Sequence, residues 1–248
     1  MMKDKIEILK YDRIDSDFNS IIQLHQSISE NSSLNKYLIY FDSNFPLYFK
    51  KIIEQSQSDL IYIIKTNNEI SGFIHFKVLN DTIFLNNICL NDNNQGKGLG
   101  KIFLKKSLDL LPDADLKYFA LDVFLSNDRA LFWYQSLGLN IISKSNWQKM
   151  LNNSIKEYKP LDIAIILKKD INGFDSIFIK ENKIATIVNK TTLLIHDLFQ
   201  MEMIPLSTYE NIITNQDTGN LNEKYEFLQL ETSVRMKGSF KNVFDKLN

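Results

Sequence analysis

Residues 85–101 read Leu85-Asn86-Asn87-Ile88-Cys89-Leu90-Asn91-Asp92-Asn93-Asn94-Gln95-Gly96-Lys97-Gly98-Leu99-Gly100-Lys101. The pattern is an alternating strand, a polar glycine-rich turn and the first turn of an amphipathic helix. Three of the chain's eight glycines, Gly96, Gly98 and Gly100, fall in this one turn, while other loops are filled with Asn. A turn of this kind aims unpaired backbone N–H groups into a concavity at the positive end of a helix, which suits an anion and above all a phosphate. Lys97 and Lys101 add positive charge beside it.

Three phosphate-binding readings compete. A P-loop needs G-x-x-x-x-G-K followed by Ser or Thr, whereas Gly96 to Gly100 is one residue short and Ile102 follows Lys101. A dinucleotide fingerprint needs G-x-G-x-x-G tight against a buried strand, and here the spacing differs and polar residues intervene after Leu90. The third reading fits. Gln95-Gly96-Lys97-Gly98-Leu99-Gly100 matches the pattern Arg/Gln-x-x-Gly-x-Gly/Ala that marks acetyl-CoA binding in the GNAT N-acetyltransferases. A second match follows in Asn127-x-x-Ala130-x-x-x-Tyr134-x-x-x-Gly138, which resembles the family's helix after the fifth strand.

Over roughly residues 4–168 the chain therefore resembles a GNAT domain. The resemblance implies an α/β fold of the α+β type, with a mixed, mostly antiparallel sheet flanked by helices. It also implies acetyl-CoA as acetyl donor, with no metal, and direct attack by a primary amine. In this family the fourth and fifth strands, here 82–90 and 118–125, splay apart around the pantetheine arm. Backbone of Ile88, Cys89 and Leu90 would pair with that arm, and the N–H near Leu90 would polarise the thioester carbonyl. Amides of Gln95, Gly96, Lys97, Gly98, Leu99 and Gly100, with Lys101 nearby, would hold the pyrophosphate. Asn127, Ala130 and Tyr134 complete the cofactor site, with Tyr134 protonating the departing thiolate.

One departure matters. Many members carry a carboxylate on the fourth strand to deprotonate the amine, but Asn86 and Asn87 stand there and neither is a base. An amine of pKa near 10.4 needs such help more than an α-amine near 7.7–8.0. Water relayed by Asn86 or by a backbone carbonyl is the expected substitute, and the sequence assigns no general base. His75 alternates with Phe73 and Lys77 and is read first as structural, with a role as base second. His25 reads as a core histidine, Asp122 as a solvated or salt-bridged aspartate, and Cys89 as packing. The rival to the enzyme is a weak or inactive acyl-CoA-binding module whose C-terminal domain recognises a protein.

Elsewhere, apolar spacing predicts helices over about 17–28 and from Pro46, and strands over 60–64, 71–78, 139–143 and 161–167. A boundary is expected at 169/170, giving a GNAT-like domain over 1–169 and a small β-rich C-terminal domain over 170–248. Within the latter, hairpin strands 177–180 and 184–188, a strand at 192–196, a helix at 205–213 and a strand at 225–234 are predicted. The acceptor is expected to enter near Tyr40, Trp147 and Tyr158.

Composition bounds the rest. With 29 Lys+Arg against 30 Asp+Glu the net charge is −1, which argues against a broadly basic nucleic-acid binder. One cysteine excludes an internal disulfide and a cysteine zinc cluster. The start lacks an apolar signal region and no apolar run suits a membrane span, so a cytoplasmic protein is expected. Its expected partners are a small-molecule or protein amine, with no nucleic acid and no membrane; a homodimer is compatible with the sequence.

Overall fold

Period-two alternation in the middle of the chain becomes a sheet in the computed structural model, which describes residues 5–30, 32–112, 115–152 and 164–248. The elements run β1 (Ile6–Lys10), α1 (Phe18–Ser27), α2 (Phe45–Gln55), β2 (Asp59–Thr66), β3 (Glu69–Leu79), β4 (Thr82–Leu90), α3 (Leu99–Asp109) and β5 (Tyr118–Phe124). There follow α4 (Asp128–Ser136), β6 (Asn140–Met150), β7 (Ile165–Lys169), β8 (Asp175–Ile179), β9 (Asn182–Val188), β10 (Thr192–Ile195), β11 (Asn211–Thr214), β12 (Phe227–Ser239) and α5 (Phe240–Leu247). Asparagine does the work of glycine in the tight turns. Asn67 and Asn68 between β2 and β3, and Asn80 before β4, all adopt positive φ, which Asn tolerates better than other side chains do.

Two units are interleaved along the chain. The first comprises Met1–Glu30, Phe49–Lys144 and Val234–Asn248; the second comprises Asn31–Tyr48 and Ser145–Ser233. The sequence reading places one cut at 169/170, whereas the chain changes unit after Glu30 and again inside α2, β6 and β12. The reason is local. Val234 and Met236 of β12 and Val243 and Leu247 of α5 are buried in the core of the first unit.

In the first unit the strand order is β1-β2-β3-β4-β5-β12-β6. β1 to β4 pair antiparallel, and β4 pairs with β5 in parallel. Alternation separates two faces. Ile74, Phe76, Ile83, Leu85, Phe119 and Leu121 meet Leu99, Phe103 and Leu104 of α3 in one cluster. Phe73 and His75 lie on the other face, where His25 of α1 stacks on Phe73 at 4.1 Å and Phe49 of α2 sets its ring edge-on to His25 at 4.4 Å.

The second unit is β-rich, as expected, with the order β6-β11-β10-β9-β8-β7. Its core gathers Met150, Ile177, Ile184, Leu193, Ile195 and Ile212. Asp42 holds the segment before α2 in this unit by accepting from the backbone N–H of Asn189 at 2.8 Å. The helix expected over 205–213 is absent. A short 3-10 turn at Leu206–Thr208 precedes β11, which pairs with β10 and β6 and so takes Ile212 and Ile213 into a sheet. Strand 139–143 extends as β6 to Met150, which puts Trp147 against Val188, Leu194 and Ile213. The strand expected at 161–167 appears as β7, beginning at Ile165; its earlier residues and Tyr158 lie outside the described residues.

Gly72 fixes how closely β3 can approach β4. A Cβ at this position would stand 2.3 Å from the Cys89 carbonyl oxygen and 2.6 Å from Leu90 Cδ2. Since one obstacle is backbone, the strands must part to admit it. Gly72→Ala is expected to lower stability by about 1–3 kcal/mol in urea unfolding, whereas a value within 0.3 kcal/mol of wild type would show that the approach is not tight.

Candidate active site

Parallel pairing of β4 with β5 runs from Thr82↔Tyr118 to Leu85↔Leu121 and goes no further. At the next residue β4 bulges: His75 pairs with Asn87 and Phe76 with Leu85, leaving Asn86 unopposed on β3. Beyond the bulge the register decides which way the backbone faces. The Asn91 N–H donates to the Ser71 carbonyl at 2.9 Å, so in the antiparallel alternation Gly72↔Leu90 and Ile74↔Ile88 are non-hydrogen-bonded pairs. Ile88 and Leu90 therefore turn their N–H and C=O groups away from β3, toward the side of β5. Cys89 faces the other way, so its backbone serves β3, and its thiol lies 3.4 Å from Ser27 Oγ on α1. Burial pushes that thiol pKa up. Cys89 thus leaves the set of backbone groups offered to a ligand.

The glycine turn sits at the end of this strand. The Gln95 side chain donates to the Leu90 carbonyl at 2.9 Å and to Asp92 Oδ1 at 3.2 Å, pinning the turn to β4. Its backbone N–H closes a 3-10 turn onto the Asp92 carbonyl at 3.2 Å. Gln95 is therefore a brace of the site, not one of its free amides. Gly96 and Gly98 take φ of +76° and +77°, which only glycine adopts without strain. Gly98 is the N-cap of α3 and no side chain caps it, so the first amides of the helix remain open donors. Lys97 and Lys101 are exposed. Arg129, which the sequence reading passed over, brings Nη2 within 3.8 Å of the place a Cβ on Gly96 would occupy. Its position inside the Asn127-to-Ala130 motif was the available signal.

Asn127 and Ala130 are joined to each other. The Asn127 side chain accepts from the Ala130 N–H at 3.1 Å and caps α4, which places Tyr134 two turns on, facing the sheet. Tyr134 is 6% exposed, and it packs in the cluster of Leu85, Leu121 and Val123. Its hydroxyl makes no hydrogen bond among the described residues, and burial pushes its pKa up. The group is thus a phenol that keeps its proton.

On the opposite face, Asp59, His75, Asn86 and Asn87 form one chain of hydrogen bonds. His75 Nε2 lies 2.7 Å from Asp59 Oδ1, and His75 Nδ1 lies 3.1 Å from Asn86 Nδ2. Asn86 Nδ2 also donates to Asn87 Oδ1 at 2.8 Å. Burial pushes the Asp59 carboxyl up, but hydrogen bonds from His75 and Ser56, with the charge of Lys77, outweigh it and hold the group below its ordinary value. No feature of the sequence flags Asp59, which is 16 residues from His75. His25 is structural: Nδ1 bonds the Ile21 carbonyl at 2.9 Å, and burial pushes its pKa down to about 3. Asp122 is held by Arg235 through two bonds of 2.8 Å. Among the described residues no cluster of three or more His, Cys, Asp or Glu is placed to hold a metal ion, and no helix is long and apolar enough to cross a membrane.

Residues 23–139, which span this strand pair and the glycine turn, match the acetyltransferase (GNAT) family. Over that segment the fold is GNAT-like. A structure from Pyrococcus horikoshii, provisionally described as an acetyltransferase, shares the fold with a TM-score of 0.63 at 12% identity, over 94% of this chain and 89% of that one. A second, from Thermoplasma acidophilum and similarly described, gives a TM-score of 0.54 at 9% identity over 94% and 100%. No curated protein matches the chain significantly.

Because the Tyr134 hydroxyl gains no protein hydrogen bond, removing it should cost the fold little. Tyr134→Phe is expected to stay within about 1 kcal/mol of wild type in chemical unfolding; a loss above about 2 kcal/mol would show that the hydroxyl is structural.

Proposed function

We propose that this protein is an N-acetyltransferase that moves an acetyl group from acetyl-CoA to a primary amine by direct attack. The observation that carries this reading is the open side of β4, where Ile88 and Leu90 present backbone groups that β5 does not take up. Acetyl-CoA would supply an acetyl group activated as a thioester. The residues fit that guest. An extended amide-bearing arm can pair with Ile88 and Leu90 as a strand would. The open amides of Gly96 to Gly100 suit its pyrophosphate, with Lys97, Lys101 and Arg129 adding charge.

The Leu90 carbonyl is already taken by Gln95, so Leu90 has only its N–H to offer, and an N–H there stabilises negative charge on a carbonyl oxygen. Tyr134 holds a proton available to a sulfur leaving group, and the proton that the acetylated nitrogen sheds passes to solvent water, from which the phenol is reprotonated. The protein's main contribution is then to hold amine and thioester in attack geometry. Asn86 and Asn87, in place of a carboxylate, favour a second reading in which the domain binds acyl-CoA without turnover.

Acetyl-CoA titrated into the protein by calorimetry is expected to bind in the micromolar range, and Gly98→Trp to abolish binding by filling the turn. A folded protein that binds no acetyl-CoA would remove the acetyltransferase reading. In CoA-release assays, Tyr134→Phe is expected to lower turnover by roughly 10²-fold or more with acetyl-CoA affinity unchanged. An unaltered rate would take Tyr134 out of the mechanism, and binding without turnover in wild type would select the second reading.

A further inference from the structure

The hydrogen-bond chain behind β4 fixes which atom Asn86 shows to the cleft. The Asp59 carboxylate can only accept, so His75 Nε2, 2.7 Å away, carries the hydrogen. In the neutral ring Nδ1 is then bare and needs a donor. The Asn86 atom 3.1 Å from it is accordingly the amide nitrogen. The second hydrogen of that nitrogen goes to Asn87 Oδ1 at 2.8 Å. Both donors of Asn86 are occupied, while its Oδ1 has no partner among the described residues and the side chain is exposed. Asn86 is also the extra residue of the bulge, one step past the last β4–β5 pair. A bulge at this point re-aims its side chain.

We propose that Asp59 and His75 are positioning residues that lock the Asn86 carboxamide with Oδ1 outward, where it receives an N–H of a neutral, weakly basic amine; this rests on the acetyltransferase reading above. His75 is 4% exposed and the Asp59 side chain 9%, so neither meets the acceptor, and their effect passes through Asn86. An N–H held by Oδ1 leaves the amine nitrogen's lone pair free to point at the acetyl carbonyl. An amide oxygen accepts a hydrogen bond but removes no proton at neutral pH, so the amine must arrive unprotonated. At pH 7.5 about a third of an α-amine is neutral, against about one part in a thousand of a lysine-like amine. The site therefore selects α-amino groups and amines of similar basicity.

Two readouts on the full chain test this. In long-range ¹H–¹⁵N spectra at pH 7.5, His75 is expected as the Nε2–H tautomer, and Asn86→Ala is expected to move its Nδ1 resonance while Nε2–H persists. In CoA-release assays with glycinamide and n-butylamine as probe acceptors, glycinamide is expected to give at least about a tenfold higher kcat/KM. Asn86→Ala, and in the same direction Asp59→Asn, are expected to lower kcat/KM for glycinamide by roughly 10²-fold, with acetyl-CoA affinity within twofold of wild type. An Nδ1–H tautomer at His75, unchanged turnover in Asn86→Ala, preference for n-butylamine, or no CoA release with either amine from a protein that binds acetyl-CoA would each overturn the proposal. Failure to bind acetyl-CoA would instead overturn the acetyltransferase reading, and the acceptor assignment with it.

Discussion

A backbone N–H withdrawn from water needs a partner, and β4 meets that requirement on one side only along half its length. β3 takes the groups of Asn87 and Cys89, but β5 stops pairing at Leu121, so those of Ile88 and Leu90 are left facing a gap. The other features of the site hold this condition in place. Gly72 lets β3 approach closely enough to keep the strand registered. The bulge at Asn86 begins where β4 leaves β5. Gln95 takes the Leu90 carbonyl, so that one end of the opening is a donor and the other is a ring of glycine amides.

The two faces of the sheet then divide the work. Behind α3 and α4, apolar packing sets Tyr134 beside Leu85 and Leu121 and keeps its phenol protonated. On the face of α1 and α2, a buried polar chain from Asp59 to Asn87 lies among the aromatic rings of Phe49 and Phe73. In so apolar a setting an unpartnered imidazole nitrogen would be costly, and each member of the chain satisfies the next. The same strand thus packs in the cluster of Tyr134 on one side and joins its Asn86 amide to His75 on the other.

The glycine turn and the Asn127–Tyr134 spacing were legible in the sequence because each is local: its meaning lies in residues a few positions apart. The strands of the first unit were legible from period two for the same reason. Contacts between distant residues were hidden. Asp59 has no local signature, and only the pairing of β2 with β3 brings it to His75. The apolar residues of 205–213 fit a helical spacing, but Ile212 and Ile213 gain more by joining β10 and β6 than a short helix after Pro205 offers. Gln95 matched the motif for its type, and only its two side-chain bonds reveal that it braces the turn.

The return of β12 and α5 to the first unit has a consequence for synthesis. Val234, Met236, Val243 and Leu247 complete a core whose other members are made more than ninety residues earlier, and Gly238 lies so near Gly138 that a Cβ there would stand 2.8 Å from its carbonyl oxygen. During translation the emerging part of the first unit therefore waits, with an incomplete apolar layer, while residues 145–233 are added and can collapse around their own core. Vectorial order runs against spatial order: the segment begun first is closed last, by residues 234–248.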